Sequence, residues 1–507
     1  MTNISMISEN DNSTVLTEYE GLKRTETFYQ SEDELEKELI RTLIDQGYEY
    51  LTINSEDELV ANLRTQLEKL NNYHFTDVEW EDFFSSKIAN KNDYIIEKTR
   101  LIQEDYIQPL TFDDGSIKNI YLIDKDNIHN NSVQVINQYV NNDGNYDNRY
   151  DVTILVNGLP LVHCELKKRG IDLREAFNQI ERYQRDSFWA SSGLYNFVQI
   201  FVISNGTLTK YYSNTTREFH INNKTKKKSN SFEFTSYWAD QKNNSITDLI
   251  DFAKTFFTKH TLLNILTKYC VFTSEEDLLV MRPYQIVATE KILNRINIAY
   301  NNKFYGHINA GGYIWHTTGS GKTLTSFKTS ILASKLPYIS KVLFVVDRKD
   351  LDYQTMKEYD RFKEGCANSN SSSKVLEQQL NDPQAKIIIT TIQKLSSFIK
   401  KNIETKVFDE HVVFIFDECH RSQFGEMHKA IIKKFKNYYI FGFTGTPIFP
   451  ENARTIKGIA ETTEQVFGER LHTYTIVNAI ADKNVLPFRY EYIGSCLLYT
   501  SPSPRDI

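Results

Sequence analysis

The sequence is 507 residues long, 40% hydrophobic and 13% aromatic, enough for two or three packed domains and incompatible with wholesale disorder. Its net charge of -7 (59 Lys and Arg against 66 Asp and Glu) neither requires nor forbids a nucleic-acid partner, because binding patches are local. Five scattered cysteines (Cys164, Cys270, Cys366, Cys419, Cys496), no signal peptide and no apolar run of membrane-spanning length lead us to expect a soluble cytoplasmic chain with no membrane partner and no zinc or disulfide framework.

Residues 1–30 are polar and unpatterned and read as a loose arm. From Ser31 the pattern is helical, with Leu35, Leu39, Ile40 and Leu43 on one face and Gly47 at the end. A second helix is predicted over Glu58–Leu70. Between Ile117 and Lys168 the period falls to two, predicting strands near Ile120–Ile123, Val133–Val140, Val152–Val156 and Leu161–Leu166. A helix over Leu173–Phe188 and a strand over Phe197–Ile203 follow. The lysine run Lys224–Lys228 reads as a solvated loop, and one helix over Ile246–Thr267 is expected to bridge to the next domain.

From Arg282 onward apolar runs alternate with helical segments: Gly312–Trp315, Val342–Val346, Lys386–Thr390, Val412–Phe416 and Tyr438–Phe443. That alternation predicts a parallel sheet flanked by helices, with functional loops at the strand C-termini. Asn368–Ser373 reads as a low-complexity surface loop.

The first apolar run breaks into Thr318-Gly319-Ser320-Gly321-Lys322-Thr323 ahead of a helix. Such a loop offers backbone N–H groups and a helix N-terminus to phosphates. Lys322 then reaches the β- and γ-phosphates of ATP, and the Thr323 hydroxyl ligates Mg2+. His316 stands where the common pattern opens with glycine. Val412–Phe416 ends in Asp417-Glu418-Cys419-His420, where Asp417 can hold magnesium through water and Glu418 can activate the attacking water. A lone Asp-Glu is an ordinary acidic turn; its meaning comes from the phosphate loop, expected on a neighbouring strand. Thr444-Gly445-Thr446-Pro447 supplies small hydroxyls that can switch hydrogen bonds, and Gln285 in Arg282-Pro283-Tyr284-Gln285 offers an amide to adenine.

With Val345-Val346-Asp347-Arg348 and Thr390-Thr391-Ile392-Gln393 between them, these motifs occur in an order that resembles the first, RecA-like motor domain of a superfamily 2 helicase or translocase of the DEAH-like branch. The resemblance implies ATP and Mg2+ as cofactors. It also implies that Thr444 and Thr446, with His420, couple hydrolysis to DNA movement.

Upstream, two predicted strands flank Asn157-Gly158, forming a hairpin with Asp151 at one end and Glu165-Leu166-Lys167 at the other. Glu165 and Lys167 share a face. Two carboxylates can hold magnesium on a scissile phosphate, and Lys167 can orient water or neutralise developing charge. A two-residue turn, however, pairs Asp151 with Cys164. Putting Asp151 beside Glu165 needs a three-residue loop or a bulge. Cross-strand surface charge is the plainer reading. Val162, Cys164 and Leu166 form the expected apolar face, with His163, Glu165 and Lys167 opposite. Gln179 and Tyr183 lie one turn apart on the following helix.

Asp…Glu-x-Lys followed by Gln-x-x-x-Tyr resembles the PD-(D/E)xK nucleases of the RecB-like type. That implies metal ligation by Asp151 and Glu165, support from Gln179 and Tyr183, and an acid on the first helix, Glu36 or Glu38. From Ser31 to Gly494 the α/β chain resembles the restriction subunit of a type I restriction–modification enzyme, through Leu35-Glu36…Gly47-Tyr48, Asn157-Gly158-Leu159-Pro160 and Asp482-Lys483-Asn484-Val485-Leu486-Pro487. The implied layout is a nuclease domain over 31–260, a motor domain over 261–470 and the start of a second motor domain over 471–494. The implied activity is ATP-driven translocation of double-stranded DNA with cleavage far from the recognition sequence, in partnership with methyltransferase and specificity subunits.

Residues 495–507 read as the translation of a transposon-type sequencing adapter, so an artefactual tail on a truncated chain is expected, with ATP turnover near background for want of the second motor domain's arginines. Two other functions stay open: a translocase whose N-terminal domain binds without cutting, and an ATP- and DNA-binding module without turnover.

Overall fold

A six-stranded mixed sheet and a seven-stranded sheet follow one another along the chain. The computed structural model describes residues 13–15, 18–19, 30–112, 114–141, 144–145, 147–216, 231–346, 349–401, 405–419, 426–453, 455–456, 459–460 and 462–483. Lys224–Lys228, Asp347-Arg348, His420 and the tail from 484 to 507 lie outside the described residues.

The first sheet runs β1 (Glu49–Tyr50), β2 (Val133–Asn141), β3 (Asn148–Val156), β4 (Leu159–Leu166), β5 (Ile200–Ser204), β6 (Thr209–Ser213), in that spatial order. Helix α1 (Glu32–Asp45) starts at Ser31, whose hydroxyl and Glu34 form a capping box, and it buries Leu35, Leu39, Ile40 and Leu43. Helix α2 (Glu56–Asn71) is capped by Ser55. Helix α3 (Leu173–Asp186), capped by Asp172, turns Ala176, Phe177, Ile180 and Tyr183 inward.

The β3–β4 hairpin turns through Asn157 and Gly158, both with positive φ (52° and 83°), the conformation that favours Asn-Gly. A Cβ on Gly158 would lie 2.6 Å from the Cα of Leu63, so the turn seats directly against α2. Val156 pairs with Leu159 and Leu155 with Pro160. The register then shifts, and Ile154 pairs with Val162, leaving Leu161 as an extra residue in a bulge. The expected division of β4 into an apolar and a polar face needs correction, because every residue from Leu159 to Leu166 is buried. Rings of Tyr150, Tyr183, Phe188 and Phe201 pack around His163 and cover the face expected to be polar.

Three further expectations are corrected. The single helix over Ile246–Thr267 is instead α4 (Leu249–Phe256), α5 (Lys259–Asn264) and a π turn over Ile265–Tyr269. The hydrophobic core around the first sheet continues through Leu278 and Met281 to Ile286 and Val287, so a boundary at 260/261 falls too early and cuts α5. Part of the arm expected to be loose is held: Thr14 N donates to both carboxylate oxygens of Glu290 at 3.0 Å, and Thr261 Oγ1 donates to Thr14 O at 2.9 Å.

The second sheet contains β7 (Gly312–His316), β8 (Lys341–Val346), β9 (Asn368–Ser369), β10 (Ile387–Thr391), β11 (His411–Phe416), β12 (Asn437–Thr444) and β13 (Arg470–Tyr474). Their spatial order is β9-β10-β8-β11-β12-β7-β13, and every pairing is parallel. All seven C-termini therefore emerge at one edge. Helices α6 (Pro283–Asn301) and α7 (Lys322–Ser334) pack on each other beside it. Leu471–Tyr474, assigned from sequence to a second motor domain, belong to an edge strand of this sheet. The expected surface loop at Asn368–Ser373 contributes the other edge strand, anchored by buried Asn370, whose Nδ2 donates to Ile389 O at 2.9 Å. Among the described residues no helix is long and apolar enough to cross a membrane.

Candidate active sites

The phosphate loop leaves β7 at His316 and enters α7 at Lys322, with Gly319 and Gly321 in the left-handed region (φ 80° and 77°). A side chain at Gly321 would also meet Gln285, since a Cβ there lies 2.5 Å from Gln285 Nε2. Lys322 Nζ stands 3.4 Å from Glu418 Oε1. Asp417 caps β11 with its N–H on Val345 O (3.1 Å), and its Oδ1 accepts from Glu418 N (3.0 Å). Burial, reinforced by the charge of Glu418, pushes Asp417 up to about 6.

The loop and the acidic pair are one strand further apart than expected. Strand β12 separates β7 from β11, with Trp315 opposite Thr444 and Phe416 opposite Gly442. Thr444-Gly445-Thr446 thus leaves the sheet from the strand between theirs. Thr444 Oγ1 accepts from Thr446 N (3.0 Å), Gly445 O accepts from Trp315 Nε1 (3.2 Å), and Gly445 lies against Thr318. Thr323 occupies the first turn of α7 on the same side.

The amide of Gln285 is engaged at both ends. Its Oε1 accepts from Arg282 N (3.0 Å) and its Nε2 donates to Ser320 O (3.1 Å). With Tyr284, whose hydroxyl donates to the same carbonyl at 2.8 Å, it braces the phosphate loop. A cavity of about 570 Å³ opens beside Gly319, Ser320 and Gly321, walled by Arg282 on one side and Tyr211 and Tyr212 of β6 on the other.

His472 is a partner that sequence reasoning missed. It lies 2.9 Å from His316 (Nδ1 to Nε2) and 3.2 Å from Gln241 O through Nε2. Burial pushes both imidazoles down, so both are neutral: His472 donates to the carbonyl and His316 donates to His472.

In the first sheet the bulge at Leu161 decides the geometry. Beyond it Val152 pairs with Cys164, which sets Asp151 across from Glu165 on one face. Asp151 Oδ2 accepts from Leu166 N at 2.8 Å. Lys167 Nζ donates to Glu165 Oε1 (2.9 Å) and to Leu166 O (2.8 Å). Burial and then the charge of Glu165 push Asp151 up to about 7, and burial pushes Glu165 up against the pull of Lys167. Burial opposes the Lys167 charge, but Glu165 outweighs it and holds the ammonium above its ordinary value.

His163 Nε2 lies 3.4 Å from Glu165 Oε2, yet burial lowers the imidazole to about 4, so the contact is not an ion pair. Its Nδ1 is 3.2 Å from Thr153 Oγ1. The only sequence signal for His163 is its position two residues before Glu165.

Of the two first-helix acids, the geometry selects Glu36. It is buried between the amides of Asn137 and Gln138, and burial, with a further push from Asp151, raises its pKa. Glu38 instead accepts from Gln30 Nε2 at 3.1 Å. Glu32, unforeseen, accepts from Lys168 N (3.3 Å), and its charge reaches Glu165 and Lys167. Behind β4, Gln179 Nε2 donates to the Tyr183 hydroxyl, which donates to Arg149 O (2.9 Å).

A half-buried and a buried carboxylate on one face, Asp151 and Glu165, with Glu165 Oε2 lacking a hydrogen-bond partner, suit a divalent cation. Among the described residues no group of three or more His, Cys, Asp or Glu is arranged to hold a metal. Water, backbone or phosphate oxygens would complete the shell, as is usual for Mg2+.

Comparison with known proteins places both halves. Residues 29–220 match the family described as "Type I restriction enzyme R protein N terminus", and residues 284–495 match "SWI2/SNF2 ATPase". The chain is 50% identical over 298 residues to the type I restriction enzyme EcoprrI endonuclease subunit of Escherichia coli, covering 59% of this chain and 92% of that sequence. It is 48% identical over 204 residues to the C-terminal part of the putative MpnIIP endonuclease subunit of Mycoplasma pneumoniae, covering 39% of this chain and 99% of that sequence. With the SauMSSORF170P endonuclease subunit of Staphylococcus aureus (strain MSSA476) it shares 42% identity over 475 residues, 92% of this chain, and it spans about half (48%) of that protein's length. The chain belongs to the type I restriction enzyme endonuclease subunits, and what it carries is the N-terminal part of such a subunit, including its ATPase domain.

Proposed function

We propose that this chain supplies a PD-(D/E)xK nuclease site and the first RecA-like superfamily 2 motor domain of an ATP-dependent enzyme that translocates and cuts double-stranded DNA away from its recognition sequence. Its partners are methyltransferase and specificity subunits. Among the described residues Cys164, Cys270 and Cys366 form no disulfide, which fits a reducing, cytoplasmic setting.

The observation that carries the nuclease half is the Leu161 bulge, which sets Asp151 beside Glu165 and Lys167. Asp151 and Glu165 would hold Mg2+ there, as Thr323 and Asp417 would at the phosphate loop, where the ion supplies charge neutralisation on phosphate oxygens and acidifies water. Lys167 would offset the negative charge that grows on the phosphate oxygens. At the motor site Lys322 and the N-terminus of α7 bind the ATP phosphates, and Glu418 accepts a proton from the attacking water. Thr444 and Thr446, between loop and acids, can report nucleotide state to bound DNA.

The test is Glu165→Ala in the full-length subunit assembled with its partners. DNA cleavage should be lost and DNA-stimulated ATP hydrolysis kept. Normal cleavage would remove the nuclease assignment in favour of a DNA-binding domain that does not cut.

A further inference from the structure

Gln138 lies in the middle of β2, yet its φ is +54°. The β2–β3 ladder pairs Asn137 with Val152 and Tyr139 with Tyr150, so no residue is inserted; Gln138, across from Asp151, simply drops out of the ladder. A left-handed, non-glycine residue inside a strand is costly and persists only where its surroundings hold it.

Neighbouring strand residues normally point to opposite faces. Here consecutive residues reach one carboxylate. Asn137 Nδ2 donates to Glu36 Oε1 and Gln138 Nε2 donates to Glu36 Oε2. The Tyr50 hydroxyl donates to Asn137 Oδ1 at 2.9 Å, which turns the Asn137 nitrogen toward Glu36. Only the left-handed turn at Gln138 lets both amides converge.

We propose that Gln138 is a positioning residue of the nuclease site: its strained backbone delivers a second amide to Glu36 and fixes that carboxylate beside Asp151. The proposal rests on the nuclease reading of this cleft. It explains why positive φ falls at the β2 position facing Asp151. Partners that orient carboxylates around a metal are commonly worth about 10–100-fold in metal affinity or activity.

Gln138→Gly keeps a residue at ease with positive φ and removes only the amide. In the full-length subunit, Mn2+ affinity measured by electron paramagnetic resonance should fall about 10–100-fold. In the assembled enzyme the Mg2+ concentration for half-maximal cleavage should rise by a similar factor, with melting temperature and DNA-stimulated ATPase unchanged. Glu36→Gln, which keeps the shape but not the charge, should shift Mn2+ affinity the same way. Wild-type Mn2+ affinity and Mg2+ dependence in Gln138→Gly, with both lost in Asp151→Ala, would overturn the positioning role and leave the nuclease reading intact. Loss of melting temperature and ATPase together with Mn2+ affinity would also overturn it, as general damage to the sheet. Asp151→Ala that still binds Mn2+ and cleaves would instead overturn the nuclease reading itself.

Discussion

The ammonium of Lys322 rests 3.4 Å from the carboxylate of Glu418, so the group suited to phosphates is neutralised by the group suited to water activation. ATP must part them before either can act. Lys322→Ala should therefore abolish tight ATP binding. Glu418→Gln removes a competitor for the lysine and should bind ATP at least as well as wild type, while hydrolysis falls by about 10²–10⁴-fold, the usual worth of a general base. Fluorescent-nucleotide titration and phosphate release on the full-length subunit separate the two effects. Equal loss of ATP affinity in both variants would contradict this division of labour.

The pair Asp151 and Glu165 gives the fold a pH dependence of definite sign. Burial raises both carboxyls, Asp151 to about 7, so they hold protons more tightly folded than unfolded. Stability from this pair is full at acid pH and is lost as pH rises from the ordinary carboxylate range near about 4 to about 7. Glu165→Gln, which removes one charge, should raise the melting temperature at about pH 7.5 by about 2–4 °C, the shift roughly 1 kcal/mol gives in a domain of this size, and leave it unchanged near about pH 4. Added Mg2+ should raise the wild-type value at about pH 7.5 and not the variant's. Calorimetry at the two pH values decides it, and a variant that melts lower at about pH 7.5 would refute the electrostatic account.

Glu290 ties the N-terminal strap to the ATPase half. It accepts from Thr14 N and from the Tyr269 hydroxyl (2.9 Å), and burial pushes its carboxyl up to about 7. Removing residues 1–19 leaves this half-buried acid short of donors and should cost about 1–3 kcal/mol. Combining the deletion with Glu290→Leu should cost less than the two losses added, because both remove one interaction. Strict additivity in chemical denaturation would show that the strap contributes nothing at this point.

What could be read from the sequence divides along physical lines. The phosphate loop, the Asp417-Glu418 pair and the Glu165/Lys167 pair are local in sequence, and strand or loop geometry alone fixes their mutual placement. The choice of Glu36 over Glu38 was closed to such reasoning, because it depends on how α1 rotates against the sheet. The burial of His163 and Glu165 was misjudged for a related reason: polarity suggested water, whereas α3 and its aromatic neighbours cover that face. The separation of strands β7 and β11 by β12 follows from strand order, which no spacing along the chain encodes. That Gln285 also braces the phosphate loop is not legible in the sequence, because the Ser320 carbonyl comes into reach only on folding. For Gln138 the sequence holds no sign at all, since nothing about a glutamine in a β-rich run announces positive φ.

The extra residue at Leu161 acts as a parity bit for the hairpin. One further residue inserted after it and taken into the ladder would leave the Asn157-Gly158 turn in place, yet Asp151 would come to face Cys164, with Glu165 and Lys167 directed to the opposite side. A chain could thus lose its second carboxylate without losing a single charged residue. An inventory of acidic and basic positions would then score such a chain as intact. Whether a hairpin of this kind can assemble its paired acids is written in the count of residues between them, odd or even, before it is written in their identities.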